Sequence, residues 1–400
     1  MKTVLNALAI SFALAGTASA ASPLIPLPAI SEEAGIRALL NASVAYNDNI
    51  YLQDKHEKAD TIITLSPGAE FSSGETGRSK MTLRFIENIL FYMDETDNNR
   101  ALENVDFTFS HGEEGDKLRC SVAAGFHHNQ VSSSRESQTA GKMTRSYNYY
   151  GNAIASYKVG EKTSVRSGFK WNGTTYDNSE ARFNYNDRQQ YAIPLYLYYA
   201  VTEKLNVGLS GEYRYVDLAS SGRNRESGKK PGIEQVWFFG LSAEGHAWEK
   251  LALNARVGYT HSDYSRRTID SADGKGSLGA SISANWRTTE KLVTALTVDR
   301  DFDVGGAGES ILSTGVSLSG DYKIDDFWSA NASISYRYDD YQKQDRDDDL
   351  YTFRIGGTYA FNEYASAFAH YTFSLDDSTG HDSGQDYKNN IVTVGVSFRY

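Results

Sequence analysis

One cysteine, Cys120, stands in the 400 residues, so no intrachain disulfide can form. Stability must therefore come from elsewhere. Proline (6) and methionine (4) are scarce. Beyond the first twenty residues no run approaches 18 consecutive apolar residues, which excludes helices that cross a membrane. Basic residues are outnumbered 40 to 51, for a net charge of −11. Nucleic acid is excluded as a partner, because neutralising phosphates needs clustered Lys and Arg. Catalytic signatures are missing as well. The eight histidines (His56, His111, His127, His128, His246, His261, His370 and His381) fall on different segments. Neither a Gly-x-Ser-x-Gly nor a metal-spaced His pair accompanies them. The sequence points to no enzyme, no metal and no cofactor.

Glycine (34) and tyrosine (27) are abundant, and mean hydropathy is only −0.50. The chain opens with Lys2, an apolar stretch from Val4 to Ala15, and small residues at Thr17-Ala18-Ser19-Ala20. That is the pattern of a secretory signal peptide cleaved after Ala20. No Cys follows the cleavage point, which argues against a lipid anchor. Residues 21–37 then read as a short periplasmic N-terminal segment, too small for a folded plug, and residues 38–400 as one body.

Within that body apolar and polar residues alternate with a period of two. In the last segment Val392, Val394, Val396, Phe398 and Tyr400 oppose Thr393, Gly395, Ser397 and Arg399. Leu278, Ala280, Ile282, Ala284 and Trp286 oppose Ser277, Gly279, Ser281, Ser283, Asn285 and Arg287. The pattern gives about eighteen strands, with sixteen as the alternative count: 38–47, 59–71, 80–93, 102–111, 117–128, 145–158, 162–175, 188–201, 204–217, 234–248, 250–262, 276–287, 291–302, 310–323, 326–339, 349–361, 364–376 and 388–400. Strands of soluble proteins usually run about 5–6 residues, whereas about 9–11 tilted residues cross a bilayer. Short connections such as Thr202-Glu203 and Asn362-Glu363 alternate with longer polar ones, 218–233, 263–275, 340–348 and 377–387. Trp171, Trp248, Trp286, Trp328, Tyr215, Tyr259, Tyr338 and Tyr364 sit near strand ends, as interface girdles do. A β-propeller shares the repeat length but would pack four short strands into it rather than two long ones. The expected fold is an all-β transmembrane antiparallel barrel in the outer membrane of a Gram-negative bacterium, with short periplasmic turns and longer extracellular loops. Outer-membrane lipid and lipopolysaccharide would surround it, and the strand ending in Tyr400 would meet the barrel-assembly machinery.

An 18-stranded barrel is too wide for its side chains to fill, so a water-filled bore is expected. Occlusion would have to come from loops, of which 131–143 and 218–233 are the longest. Turning each polar face inward places Arg119, Arg166, Lys170, Arg214, Arg256, Arg287, Arg337, Arg354 and Arg399 in the bore, against Glu70, Asp106, Glu212, Glu244, Asp299 and Asp321. A basic excess favours anions in a pore. The alternative is that these charges pair into ladders that stiffen the wall. His127-His128 reads as an exposed pair at a loop base, His370 as a wetted lumenal residue, and Cys120 as a small residue on the lipid face. The acidic runs Asp345, Asp347, Asp348, Asp349 and Asp376, Asp377, Asp382, Asp386 read as solvated extracellular loops, with no calcium-loop spacing.

Two stretches are distinctive: Val44-Ala45-Tyr46-Asn47-Asp48-Asn49-Ile50-Tyr51 and Leu65-Ser66-Pro67-Gly68-Ala69-Glu70-Phe71. The chain resembles the β-barrel porins encoded in exopolysaccharide synthesis clusters, of the vibrio biofilm polysaccharide type, which open "Tyr-Asp-Asp-Asn-Ile" and continue "Leu-x-Pro-Gly". Asn47 departs from the more usual Asp. The resemblance implies passage of an anionic exopolysaccharide across the outer membrane, with a periplasmic polysaccharide-export protein as partner, and carries over no catalytic residue. A general or anion-selective diffusion porin for small solutes is the other reading.

Overall fold

The structure, a computed structural model, describes residues 23–113, 115–132, 143–177, 185–219, 232–266, 274–306, 308–342, 344–381 and 386–400. The expected signal peptide and most of the connections 131–143 and 218–233 lie outside the described residues. A two-residue strand, β1 (Ile25–Pro26), is followed by β2 (Gly35–Asn47), β3 (Asp60–Ser73), β4 (Ser79–Tyr92), β5 (Arg100–His111), β6 (Leu118–Val131), β7 (Thr144–Lys158), β8 (Thr163–Asp177) and β9 (Asp187–Ala200). Then come β10 (Leu205–Ala219), β11 (Gly232–Trp248), β12 (Leu251–Arg266), β13 (Lys275–Arg287), β14 (Leu292–Val304), β15 (Ser310–Lys323), β16 (Trp328–Tyr341), β17 (Asp347–Ala360), β18 (Ala365–Thr379) and β19 (Tyr387–Arg399).

From β2 to β19 each strand pairs antiparallel with the next, and β19 pairs with β2 from Ile391–Asn47 to Arg399–Leu39. This is a closed barrel of eighteen strands, the larger of the two counts. Closure follows from the solvent: hydrocarbon offers no partner to a free N–H or C=O, so a sheet there must have no edge. The strands run from 12 residues in β5 to 17 in β11. Outward positions are apolar and fully presented, as at Phe239 (67% exposed) and Leu241 (68%) on β11. At the termini-bearing rim aromatic pairs meet at a tilt, Trp328 with Tyr359 at 4.8 Å and Tyr364 with Tyr400 at 5.2 Å. Toward the other rim Tyr213 meets Trp237 at 4.2 Å.

The turns at the termini-bearing rim share one device. Thr202 Oγ1 accepts the amides of Lys204 and Leu205, and Thr289 Oγ1 those of Lys291 and Leu292. Asp325 Oδ1 and Asn362 Oδ1 do the same for Phe327 and Trp328, and for Tyr364 and Ala365. A short polar side chain thus satisfies two amides that the tight turn frees.

Connections at the other rim are not uniformly long. The expected 340–348 loop shrinks to 342–346, because β16 and β17 continue to Tyr341 and from Asp347. The acidic runs are therefore not simply solvated loops. Asp347, Asp348, Asp349, Asp376 and Asp377 lie in β17 and β18, with Asp349 opposite Asp377. Asp348 is buried, gripped by Arg346 at 2.6 Å and by Tyr341 and Ser378. Arg346 neutralises the charge that would otherwise require water.

The ladder between β13 and β14 departs from regularity. It ends at Ala280–Arg300, whereas β12 stays with β13 up to Ser262–Lys275 and β14 stays with β15 up to Val304–Ser310. Beyond Arg300 the β14–β15 hairpin folds inward and laps against the inner wall of β10–β12. Phe302 and Leu312, in register with the outward Val298 and Val316, are buried against the inward Val236. Val304 is buried against Val216, Leu218 and Tyr264. Among the described residues this hairpin is the element that enters the bore, and it is held there by apolar contact.

Lipid contact at mid-strand makes a testable demand. Leu241→Arg on the lipid face of β11 is expected to destabilise the barrel by about 2–4 kcal/mol, the cost of a cation near the bilayer midplane. Urea unfolding in lipid vesicles measures it.

Candidate channel lining

The polar faces of the strands form the inner wall, and the charges there are sorted by partner. Six of the nine expected lumenal cations meet a carboxylate. Lys170 Nζ lies 3.1 Å and Arg256 Nη1 3.3 Å from Glu212 Oε2. Arg214 Nη1 donates to Asp301 at 3.0 Å, and Arg256 Nη2 stands 3.8 Å from the same carboxylate. Arg166 grips Glu244 with Nη1 and Nη2, one to each carboxylate oxygen. Arg337 pairs with Asp339 at 3.2 Å and Arg399 with Glu70 at 2.7 Å.

Arg166–Glu244 and Arg337–Asp339 stand as single pairs, and the others form two groups. The larger, Lys170–Glu212–Arg256–Asp301–Arg214, runs from β8 through β10 and β12 to the inward hairpin of β14. Glu212 and Arg214 are only 6% and 4% exposed, so each carboxylate of the group meets its cations largely out of bulk water, with three cations to two carboxylates. Arg256 also covers the Phe238 ring at 4.7 Å. The smaller group, Arg84–Glu70–Arg399, ties β4 and β19 to β3 across β2. On this side the charge ladder describes the wall.

Arg119, Arg287 and Arg354 differ. Among the described residues none of the three makes an ion pair. Arg119 lies near the start of β6 and Arg287 closes β13, both at the termini-bearing rim. Arg354 sits midway along β17, between Ser333 of β16 and Thr372 of β18, with His370 one pair away. Its ladder neighbours are uncharged, so among the described residues its guanidinium stands at mid-bore without a carboxylate. Of the inward acids, Asp106 accepts from Tyr150 at 2.7 Å and meets His127 at 2.8 Å. Asp321, near the termini-bearing rim, is exposed.

The histidine pair is not an exposed loop base. His127 and His128 lie within β6, both half-buried, the first against Asp106 and the second against Glu103 at 2.9 Å. The strand extends three residues further than its alternation indicates, which carries both rings into the wall. His370 lies inside, stacked on Phe368 at 5.8 Å. Residues that sequence reasoning missed include Asp301, which continues the inward period of Asp299, and Glu234. Glu234 is fully buried and accepts from Ser262 at 2.6 Å and Ser310 at 2.7 Å.

The two distinctive stretches turn out to bracket the closing seam. Asp48 accepts from the Asn390 amide and side chain, and Asn49 Nδ2 donates to Lys388 O at 2.9 Å. Asn49 also makes reciprocal bonds with Gln53, which shape the turn after β2. At the opposite end of the seam Glu70 holds Arg399. Pro67 removes one amide from the β3–β4 ladder, and Gly68 lets the Phe85 carbonyl approach closely.

Residues 36–400 match the model of one family, "Putative beta-barrel porin 2". The chain belongs to this porin family. Such porins are outer-membrane barrels, and the bore is accordingly a channel. Among solved structures, this porin is similar to OccK2 of Pseudomonas aeruginosa (10% identity, 91% of this chain and 97% of that one, TM-score 0.47). It is also similar to the FrpB iron transporter of Neisseria meningitidis (8%, 91% and 82%, 0.47) and to OccAB3 of Acinetobacter baumannii (10%, 91% and 99%, 0.44). No curated protein sequence matches it.

The two charge populations of the wall should respond differently to mutation. Glu212→Ala leaves Lys170 and Arg256 without their shared counter-ion and is expected to cost about 3 kcal/mol of stability. Arg354→Ala, which breaks no ion pair, should stay within about 0.5 kcal/mol of the parent. Equilibrium unfolding in vesicles compares the two.

Proposed function

We propose that this porin is the outer-membrane channel through which an anionic exopolysaccharide leaves the cell. The observation that carries the reading is Arg354, a cation at mid-bore with no carboxylate opposite and with Ser333, Thr372 and His370 around it. Fixed positive charge in a wet passage raises the local concentration of anions. Flanking hydroxyls can exchange hydrogen bonds with sugar hydroxyls as a chain slides past. Arg119 and Arg287 extend the same sign of charge to the termini-bearing rim, which faces the periplasm in an outer-membrane barrel whose short turns lie there. A polymer delivered by a periplasmic export protein would meet them first. The Tyr46–Ile50 and Leu65–Gly68 stretches, similar to those of exopolysaccharide-associated porins, supply the substrate class.

Deleting the protein is expected to abolish surface polymer while the synthase goes on producing it inside the envelope. Normal secretion by the deletion strain would reject the export reading. The same arginines, taken alone, favour an anion-selective diffusion porin for small solutes. In planar bilayers the parent channel should prefer chloride over potassium, and Arg354→Glu should shift the reversal potential toward cation preference. An unchanged reversal potential would remove Arg354 from the conduction path. Small-anion flux with intact polymer secretion in the deletion strain would establish the diffusion reading.

A further inference from the structure

The lap of the β14–β15 hairpin inside β10–β12 is built with two sets of partners. Where β14 leaves β13, its backbone edge loses the ladder, and three side chains and one backbone amide of the wall take the place of the missing strand. Arg214 Nη2 donates to Phe302 O at 2.6 Å and Arg188 Nη1 to Val304 O at 2.7 Å. The Asn186 amide donates to Gly306 O at 2.9 Å, and Tyr264 Oη to Gly308 O at 2.7 Å. Side-chain hydrogen bonds add to this hold: Thr260 donates to Asp301 and Ser310 to Glu234. Gly308, with φ of +85°, provides the left-handed turn at the tip.

The abandoned edge is still in place. Lys275–Gly279 of β13 remains paired to β12 and has no ladder partner on its β14 side. Continuing the Ala280–Arg300 register by two and four residues would set Phe302 opposite Leu278 and Val304 opposite Gly276. Phe302 and Val304 would then point outward beside Leu278, which is 60% exposed on the outer surface. Moving an apolar side chain from a protein contact to lipid changes little, because lipid is as apolar as the core it leaves. Arg300 stands at the fork, donating to Ser277 on one side and Thr314 on the other, so it can serve as the pivot. Both arrangements satisfy the backbone, the condition for a bistable element.

We propose that the outer halves of β14 and β15 are a gate: lapped against β10–β12 they narrow the bore, and annealed to β13 they widen it. The proposal rests on the channel reading, and its test separates the two. In a Cys120→Ser background, Leu218→Cys with Val304→Cys places a thiol pair across the lap, and Leu278→Cys with Phe302→Cys places one across the seam. Crosslinks are read by gel mobility, and conductance is read in planar bilayers. The 218–304 crosslink is expected to hold a low conductance that rises severalfold on reduction. The 278–302 pair is expected to crosslink in membranes and to hold the high conductance. The gate is overturned if 278–302 never crosslinks and reduction of 218–304 leaves conductance unchanged. If both crosslinks form but no state conducts, the hairpin moves and the channel reading is what fails. Asp301→Asn, which weakens the hold of Arg214 without emptying the apolar lap, should raise the fraction of time spent at high conductance. Loss of the high state in this variant would also overturn the gate.

Discussion

Everything in this molecule depends on backbone hydrogen bonding in a medium that offers none. Eighteen strands can lie in lipid only because β19 finds β2 and leaves no edge. The sequence is distributed accordingly. Outward positions carry Leu, Val, Phe and Trp because their neighbours are lipid tails. Inward positions carry Ser, Asn, Arg and Glu because their neighbours are water and one another. At one place where the ladder stops short, the fork between β13 and β14, guanidinium, amide and hydroxyl donors cover the exposed carbonyls one by one. The infolded hairpin obeys the same rule as the closing seam.

The charge pairs inside the wall follow a related logic. A carboxylate such as Glu212 is tolerated at low exposure because Lys170 and Arg256 converge on it from β8 and β12. These pairs leave little free charge on the β8–β14 side, so the net character of the bore is set by the residues left over. Arg354 matters because no carboxylate among the described residues balances it. Counting basic against acidic residues along the polar faces would weigh all nine cations equally, and only their partners separate structural charge from charge that a solute can meet.

The eighteen strands were legible because their alternation reports which face meets lipid, a signal that needs no tertiary information. The family resemblance was legible in two short stretches, although their role in closing the seam was not, since their partners lie near residues 388–399. The hairpin escaped for a physical reason that the sequence does carry. Val236-Trp237-Phe238-Phe239 is apolar on both faces of β11, as strands covered on two sides are. Val216 and Leu218 likewise put apolar side chains on the wet face of β10. Such residues in a wetted register mark a stretch of wall that something covers, and Phe302 and Val304 supply the cover. The acidic tips of β17 and β18 were misjudged because Asp runs resemble loops until Arg346 is placed among them.

The seam between first and last strands also bears on how the protein is made. Asp48 and Asn390 are 342 positions apart along the chain, about as non-local a contact as the polypeptide allows. Loop-closure entropy over such a distance makes the encounter slow, and every earlier stage carries two open strand edges. Biogenesis must therefore shelter an unfinished sheet until its final hairpin arrives. The Asp48 and Asn49 side chains, reaching β19 at one end while Glu70 reaches it at the other, fix the register of that last joining so that the ring shuts once and in one way.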